Sequence, residues 1–251
     1  MNRNLSDLID LSHELGMENR CLAILGEGNT STLNEDNTFW VKASGSQLAT
    51  IDEAGFSQVN LRSIDLACKA GSMLDDEIAK VLQTSLVNPN HRKPSVETFL
   101  HGLCYLETSV KWVGHTHPVS VNSIICSQMG AKPFLKHLFP DGIVVCGAVP
   151  AFLPYIDPGF PLAVAFRDEL RRYQDKNGHA PKMVLMENHG LVALGNSAKE
   201  VLNITLMADK WARVIQGTFL FGGPHYLSDE ERSRIDNRQD ENYRRKLLGV
   251  A

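Results

Sequence analysis

Val110-Lys111-Trp112-Val113-Gly114-His115-Thr116-His117-Pro118 is an apolar run that ends in two histidines one residue apart. Alternate side chains of an extended strand point to the same face, so both imidazoles can reach one ion. A third, His189, stands in a second strand-like run, Met183-Val184-Leu185-Met186-Glu187-Asn188-His189-Gly190-Leu191-Val192. Three neutral ring nitrogens that leave one coordination position open are the ligand set of a catalytic zinc or a similar divalent metal. Each histidine alone reads equally well as a satisfied core residue. Three together are harder to explain that way, because a buried unpaired imidazole costs free energy.

Moving toward the N-terminus, Pro94-Ser95 opens a segment with apolar residues at Val96, Phe99, Leu100, Leu103 and Cys104, which is helical spacing. Ser95 is placed to be its N-cap. Glu97 falls in the first turn, where the helix dipole favours a carboxylate. It is either an exposed dipole partner or a general base near the metal, and His101 shares its face. Further upstream, two strand-like pieces flank Asn34-Glu35-Asp36-Asn37, the second being Thr38-Phe39-Trp40-Val41-Lys42. Such a cluster between β-prone runs favours a hairpin. Its outer ends would then lie side by side: the loop around Gly28-Asn29 and the loop Ala43-Ser44-Gly45-Ser46. Glycines admit backbone N–H groups close to an anion, Asn and Ser add donors, and Lys42 adds a point charge. These ends are a phosphate or sugar-oxyanion cradle, or simply two ordinary turns.

Helices are expected over 5–17, 75–86, 118–129 and 158–175, with a further apolar run at Gly142-Ile143-Val144-Val145-Cys146. Ser197-Ala198-Lys199-Glu200 matches a capping box at the head of a long helix, and Gly222-Gly223-Pro224 stops it. Strands joined as hairpins and mixed with helices predict an α/β fold with a mixed or antiparallel central sheet. Residues 1–251 are expected to form a single domain, with 223–251 as a charged tail that reads as a solvated helix. A net charge of −4 excludes a basic nucleic-acid footprint. No stretch approaches the roughly 20 apolar residues of a membrane span, and no secretory leader is visible. Five dispersed cysteines without a CxxC pair suit a reducing compartment, so the cytoplasm is the expected location.

The set Gly28-Asn29-Thr30-Ser31, Lys42-Ala43-Ser44-Gly45, Pro94-Ser95-Val96-Glu97 with His101, His115-Thr116-His117-Pro118 and Asn188-His189-Gly190 resembles the class II aldolase/adducin family, in the family's order, over residues 5–220. Within it, the phrasing is most similar to the aldolase domain of bifunctional rhamnulose-1-phosphate aldolase/lactaldehyde dehydrogenase proteins, here without the dehydrogenase half. The resemblance implies a three-layer α/β/α sandwich, a homotetramer, and a divalent metal, Zn2+ first with Mn2+ or Co2+ as alternatives. By motif match, His115, His117 and His189 would be the metal ligands and Glu97 the catalytic acid/base. Asn29, Ser44, Gly45 and Ser95 would contact the phosphate of a sugar phosphate.

The expected reaction is cleavage of a ketose or deoxyketose 1-phosphate to dihydroxyacetone phosphate and a small aldehyde through a metal-stabilised enediolate. Fuculose-1-phosphate aldolases carry a second Ser where this chain has Val96 and Thr-Pro where it has Lys42-Ala43. Both changes touch the phosphate site: either Lys42 offsets the lost hydroxyl or the pocket holds something other than phosphate. A family tyrosine from the neighbouring subunit has no clear counterpart; His137 falls nearest, with Tyr155 as the fallback. Relatives that keep the enediolate chemistry include 4-epimerases, 3-oxo-acid decarboxylases and dehydratases. An adducin-like scaffold without chemistry is the reading from a different class.

Overall fold

The computed structural model describes residues 3–71 and 73–250. The ends of the expected 1–251 domain, residues 1, 2 and 251, lie outside these, as does residue 72. Seven strands form one sheet: β1 (Asn29–Leu33), β2 (Thr38–Lys42), β3 (Phe56–Asn60), β4 (Trp112–Thr116), β5 (Ala151–Leu153), β6 (Met183–Met186) and β7 (Gly190–Gly195). Their spatial order is β3-β2-β1-β4-β7-β6-β5. Only the β5–β6 pair is parallel and the others are antiparallel, so the sheet is mixed as expected.

Two hydrophobic clusters cover the two faces. Alternation along the strands divides them: Met183, Leu185, Leu191 and Ala193 join one cluster, Val184, Met186, Val192 and Leu194 the other. The first is completed by α1 (Arg3–Leu15), α5 (Val119–Ile125), α6 (Pro140–Cys146) and α8 (Ala198–Thr218). The second is completed by α2 (Leu61–Lys69), α3 (Asp75–Thr84), α4 (Thr98–Glu107) and α7 (Phe160–Asn177). This is the three-layer α/β/α arrangement. In α8 the buried residues Val201, Ile204, Thr205, Ala208, Trp211, Ala212 and Ile215 make one stripe at helical spacing.

Several boundaries differ from the sequence expectation. The front hairpin forms where expected, with Leu33 opposite Phe39 and Asn37 in the left-handed region at φ 59. Ser95 does not cap α4; its hydroxyl accepts from the Glu97 N–H at 3.2 Å, one turn before the helix begins. Ser197 caps α8 by accepting from the Glu200 N–H. The reciprocal half of the box is absent, because the Glu200 carboxylate accepts from the Asn196 N–H and pairs with Lys182. The β-branched run 142–146 is helical, bounded by Pro140 in its first turn and Gly147 at φ 81 after it.

The tail forms α9 (Asp229–Asp236) and α10 (Gln239–Leu248). It docks on its own chain. Ile235 and Val250 are buried, Lys182 Nζ donates to the Val250 carbonyl at 2.9 Å, and Arg245 donates to the Val144 carbonyl. No helix among the described residues is long and apolar enough to cross a membrane.

Candidate metal centre

Strand register assembles the site. β1 lies against β4 with Asn29 opposite His115, and β4 lies against β7 with Thr116 opposite Leu191. His117 continues the strand direction, and its N–H donates to the Leu22 carbonyl at 2.8 Å. His189 occupies the tight turn between β6 and β7, where Asn188 takes φ 53, a conformation that Asn tolerates better than most residues. Asn122 of α5 pins this turn by donating to the His189 carbonyl at 3.0 Å. Gly190 is required here: a Cβ would stand 2.6 Å from the Thr116 carbonyl oxygen and 2.7 Å from His117 Cδ2.

The three rings meet edge to face, with centroids 4.7, 4.9 and 5.1 Å apart, and their ligand atoms lie within 4.8 Å of one another. Nδ1 of His115 faces the Leu191 carbonyl at 3.0 Å, and Nδ1 of His117 faces Glu27 Oε2 at 2.9 Å. Both partners accept, so Nδ1 carries the proton on each ring and Nε2 is left with a lone pair. Those two Nε2 atoms are 2.9 Å apart. Two lone pairs at that distance repel unless a cation lies between them, so the donor set fits a divalent metal.

Burial is the main reason that His115 is pushed down to about 3, and it lowers His117 as well; both stay neutral, as a ligand must. Glu97 Oε1 completes the cluster at 3.3 Å from His189 Nε2 and 3.5 Å from His115 Nε2. Burial alone would raise the Glu97 carboxyl. The His115 and His189 rings and the Asn29 amide outweigh it and hold the group below the usual carboxylate range.

The other expected residues divide into three groups. Lys42 is buried beside Glu97 and donates to the Gly26 carbonyl at 2.9 Å; desolvation lowers it, and the Glu97 charge opposes that shift. Ser44 and Gly45 form an exposed rim, where Gly45 takes φ 78 and Arg92 donates to Ser46 Oγ at 3.1 Å. Asn29 is buried, with Nδ2 on Glu97 and Oδ1 on His101, so His101 reaches Glu97 through Asn29 and not directly.

Within this chain His137 is not brought to the cluster. It is buried in the opposite helical layer, stacked on Trp211 at 4.1 Å, with Nε2 donating to the Ala148 carbonyl. Tyr155 is exposed and its hydroxyl donates to Asp157. Sequence reasoning missed Glu27 and Asn122. A carboxylate between the two glycines of a turn beside the site was the available signal for Glu27; Asn122 had none.

Residues 6–215 match the family described as "Class II Aldolase and Adducin N-terminal domain". The protein called "Uncharacterized oxidoreductase YuxG" of Bacillus subtilis (strain 168) is 30% identical over 249 residues, 93% of this chain and 33% of that protein. The chain thus spans about a third of the length of that curated relative. Among solved structures, the N-terminal class II aldolase domain of a conserved protein from Thermoplasma acidophilum is 27% identical with a TM-score of 0.69, over 85% of this chain and 94% of that one. An L-fuculose 1-phosphate aldolase superposes with a TM-score of 0.72 at 18% identity, over 97% of both chains. A family match over residues 6–215, most of the length of the chain, settles its membership: the chain belongs to the class II aldolase and adducin family.

Proposed function

We propose that this protein is a metal-dependent aldolase that splits a ketose or deoxyketose 1-phosphate, of the rhamnulose or fuculose type, into dihydroxyacetone phosphate and a small aldehyde. The observation that carries this reading is the convergence of three imidazole Nε2 atoms with Glu97 Oε1 poised over them. His115, His117 and His189 would hold the metal, and their nitrogen-only donor set suits zinc. When bound, it would supply a Lewis acid for the substrate's carbonyl and hydroxyl oxygens.

The chain's own residues do the rest. Breaking the C3–C4 bond leaves an electron pair on the three-carbon fragment, and Glu97 manages the proton at that carbon. In cleavage a second base takes the C4 hydroxyl proton as the aldehyde forms, and a protonated Glu97 gives its proton to the carbon. In synthesis the carboxylate takes that proton and the second group returns its own to the C4 oxygen. Ser44, Gly45 and Ser95, with Lys42 behind them, receive the substrate's anionic group at the mouth. Residues 1–251 act as one unit in the cytoplasm and assemble as a homotetramer, which brings the exposed Tyr155 of a neighbour, and not the buried His137, within reach of the mouth.

Lys42 favours a second reading. A buried ammonium beside the carboxylate also suits a 3-oxo acid, whose decarboxylation leaves an enolate of the same kind. Purified protein loaded with zinc or manganese would be given a small panel of sugar 1-phosphates, sugar acids and 3-oxo acids. Release of dihydroxyacetone phosphate, abolished by Glu97→Gln while elemental analysis still finds the metal, supports the aldolase. Carbon dioxide or an epimer as the product sinks it. A protein that carries no metal under any loading condition sinks both readings.

A further inference from the structure

α4 with the residue before it and the facing side of β1 share a column of polar side chains of which the reaction above uses only Glu97. Glu97, His101 and Tyr105 recur every fourth residue and lie on one helical face, while Asn29 and Ser31, two apart, lie on one strand face. They interlock in series. The Tyr105 hydroxyl meets Ser31 Oγ, and Ser31 Oγ lies 2.6 Å from His101 Nδ1. His101 Nε2 meets Asn29 Oδ1, and Asn29 Nδ2 meets Glu97 Oε2. Ser31 and His101 are fully buried and Asn29 and Tyr105 nearly so. In such a place a donor or acceptor left unmade keeps the full cost of its desolvation.

The direction of donation is fixed from one end. A carboxylate only accepts, so Asn29 turns its NH2 to Glu97 and its carbonyl oxygen to His101. That oxygen also only accepts, which puts the His101 proton on Nε2. Burial pushes the His101 ring down to about 4, so near neutral pH it has a single proton and Nδ1 is an acceptor. The Ser31 hydroxyl therefore donates to Nδ1 and takes the Tyr105 hydroxyl proton in turn. Hydroxyl rotors can serve either polarity; a carboxylate cannot. All four bonds point at Glu97, whose Oε2 accepts the Asn29 N–H.

We propose that Tyr105, Ser31, His101 and Asn29 form a one-way donor chain that holds Glu97 by Oε2 and leaves Oε1 for the three imidazoles, so that Asn29 is a positioning residue for Glu97. The proposal rests on the functional reading above only in that Glu97 acts at the histidines. Asn29 has its carbonyl oxygen on His101 and one N–H on Glu97, which fixes the plane of its amide against the carboxylate.

The test is the tautomer of His101, read from its imidazole nitrogen resonances in the zinc-loaded full chain. The proton is expected on Nε2. In Glu97→Gln the end group can donate as well as accept, so a fraction of the ring should move its proton to Nδ1. In Tyr105→Phe the tautomer should stay as in the parent, since polarity is set at the other end; this variant also serves if Glu97→Gln folds poorly. A proton on Nδ1 in the parent, a ring indifferent to Glu97→Gln, or a switch in Tyr105→Phe overturns the chain. These results stand whether or not aldol cleavage is found. Where turnover is measured, Asn29→Ala should lower kcat at least about tenfold with KM little changed, the mark of a lost transition-state interaction. A raised KM at constant kcat would return Asn29 to substrate binding.

Discussion

Removing the Glu27 carboxylate should weaken metal binding without touching a ligand. Glu27 Oε2 accepts the His117 Nδ1 proton at 2.9 Å and so fixes which ring nitrogen faces the cluster. A hydrogen bond to a charged group is worth about 1.5–3 kcal/mol, and partners of metal-bound histidines typically contribute 10–100-fold in affinity. The Glu27 and His117 side chains are 31% and 20% exposed, so water already screens part of the interaction. The lower half of the range applies, about 1.5–2 kcal/mol, or roughly 10–30-fold in the metal dissociation constant. Glu27→Gln keeps an acceptor oxygen and loses the charge, so its affinity should fall by only roughly fivefold.

Competition for zinc against a chromophoric chelator measures both variants. Glu27 also accepts from the Ile24 N–H at 2.6 Å, so urea unfolding of the metal-free forms is needed to separate loop damage from ligand orientation. If Glu27→Ala binds zinc within about twofold of the parent, the orienting role assigned to this carboxylate is wrong.

Two further outcomes follow from the packing. Gly190→Ala would force a methyl group against the Thr116 carbonyl and the His117 ring, at an overpacking cost of about 1–3 kcal/mol. The rise in thermal midpoint that zinc gives the parent should shrink in this variant; an unchanged rise would show that the ligands do not feel the methyl. His137 is buried and neutral, pushed down to about 4 by desolvation against the pull of the Ala148 and Gly147 carbonyls. The unfolded chain, with an ordinary imidazole near 6.5, binds more protons than the fold between these values, so stability is complete above about pH 6.5 and is lost as pH falls toward 4, by at most about 3 kcal/mol. His137→Phe keeps an aromatic ring on Trp211 and cannot charge, so urea midpoints of the metal-free variant should fall less steeply over that window; parallel slopes would refute the assignment.

The parts of this molecule that were legible in the sequence are those written at short range. His115 and His117 share a strand face because strand periodicity is two, and the front hairpin announced itself through Asn34 to Asn37. His189 could be suspected because it interrupts an apolar run beside a glycine. The segment 142–146 shows where local preference fails: its β-branched residues suit a strand, but the proline before it, the glycine after it and the apolar layer around α8 select a helix. Glu27, a carboxylate between two glycines, carried a local hint but not the identity of its partner. It meets His117 only because β1 and β4 are neighbours, and no spacing along the chain encodes that pairing. His137 is the converse: counting from a motif carried it toward the chemistry, and a stacking partner on a distant helix places it in the core.

The sheet order also sets a sequence of events in time. β4 is the hinge between a half made early in synthesis, β1 to β3, and a half made late, β5 to β7. Two ligands are present once β4 has emerged, and the third arrives only with the final hairpin. An ion captured by the nascent chain would therefore be held by two imidazoles and be surrendered readily to competing chelators. Secure capture waits for the last hairpin to dock, which makes metal retention a readout of completed folding, and a chain arrested before that point would leave the ribosome unable to keep its ion.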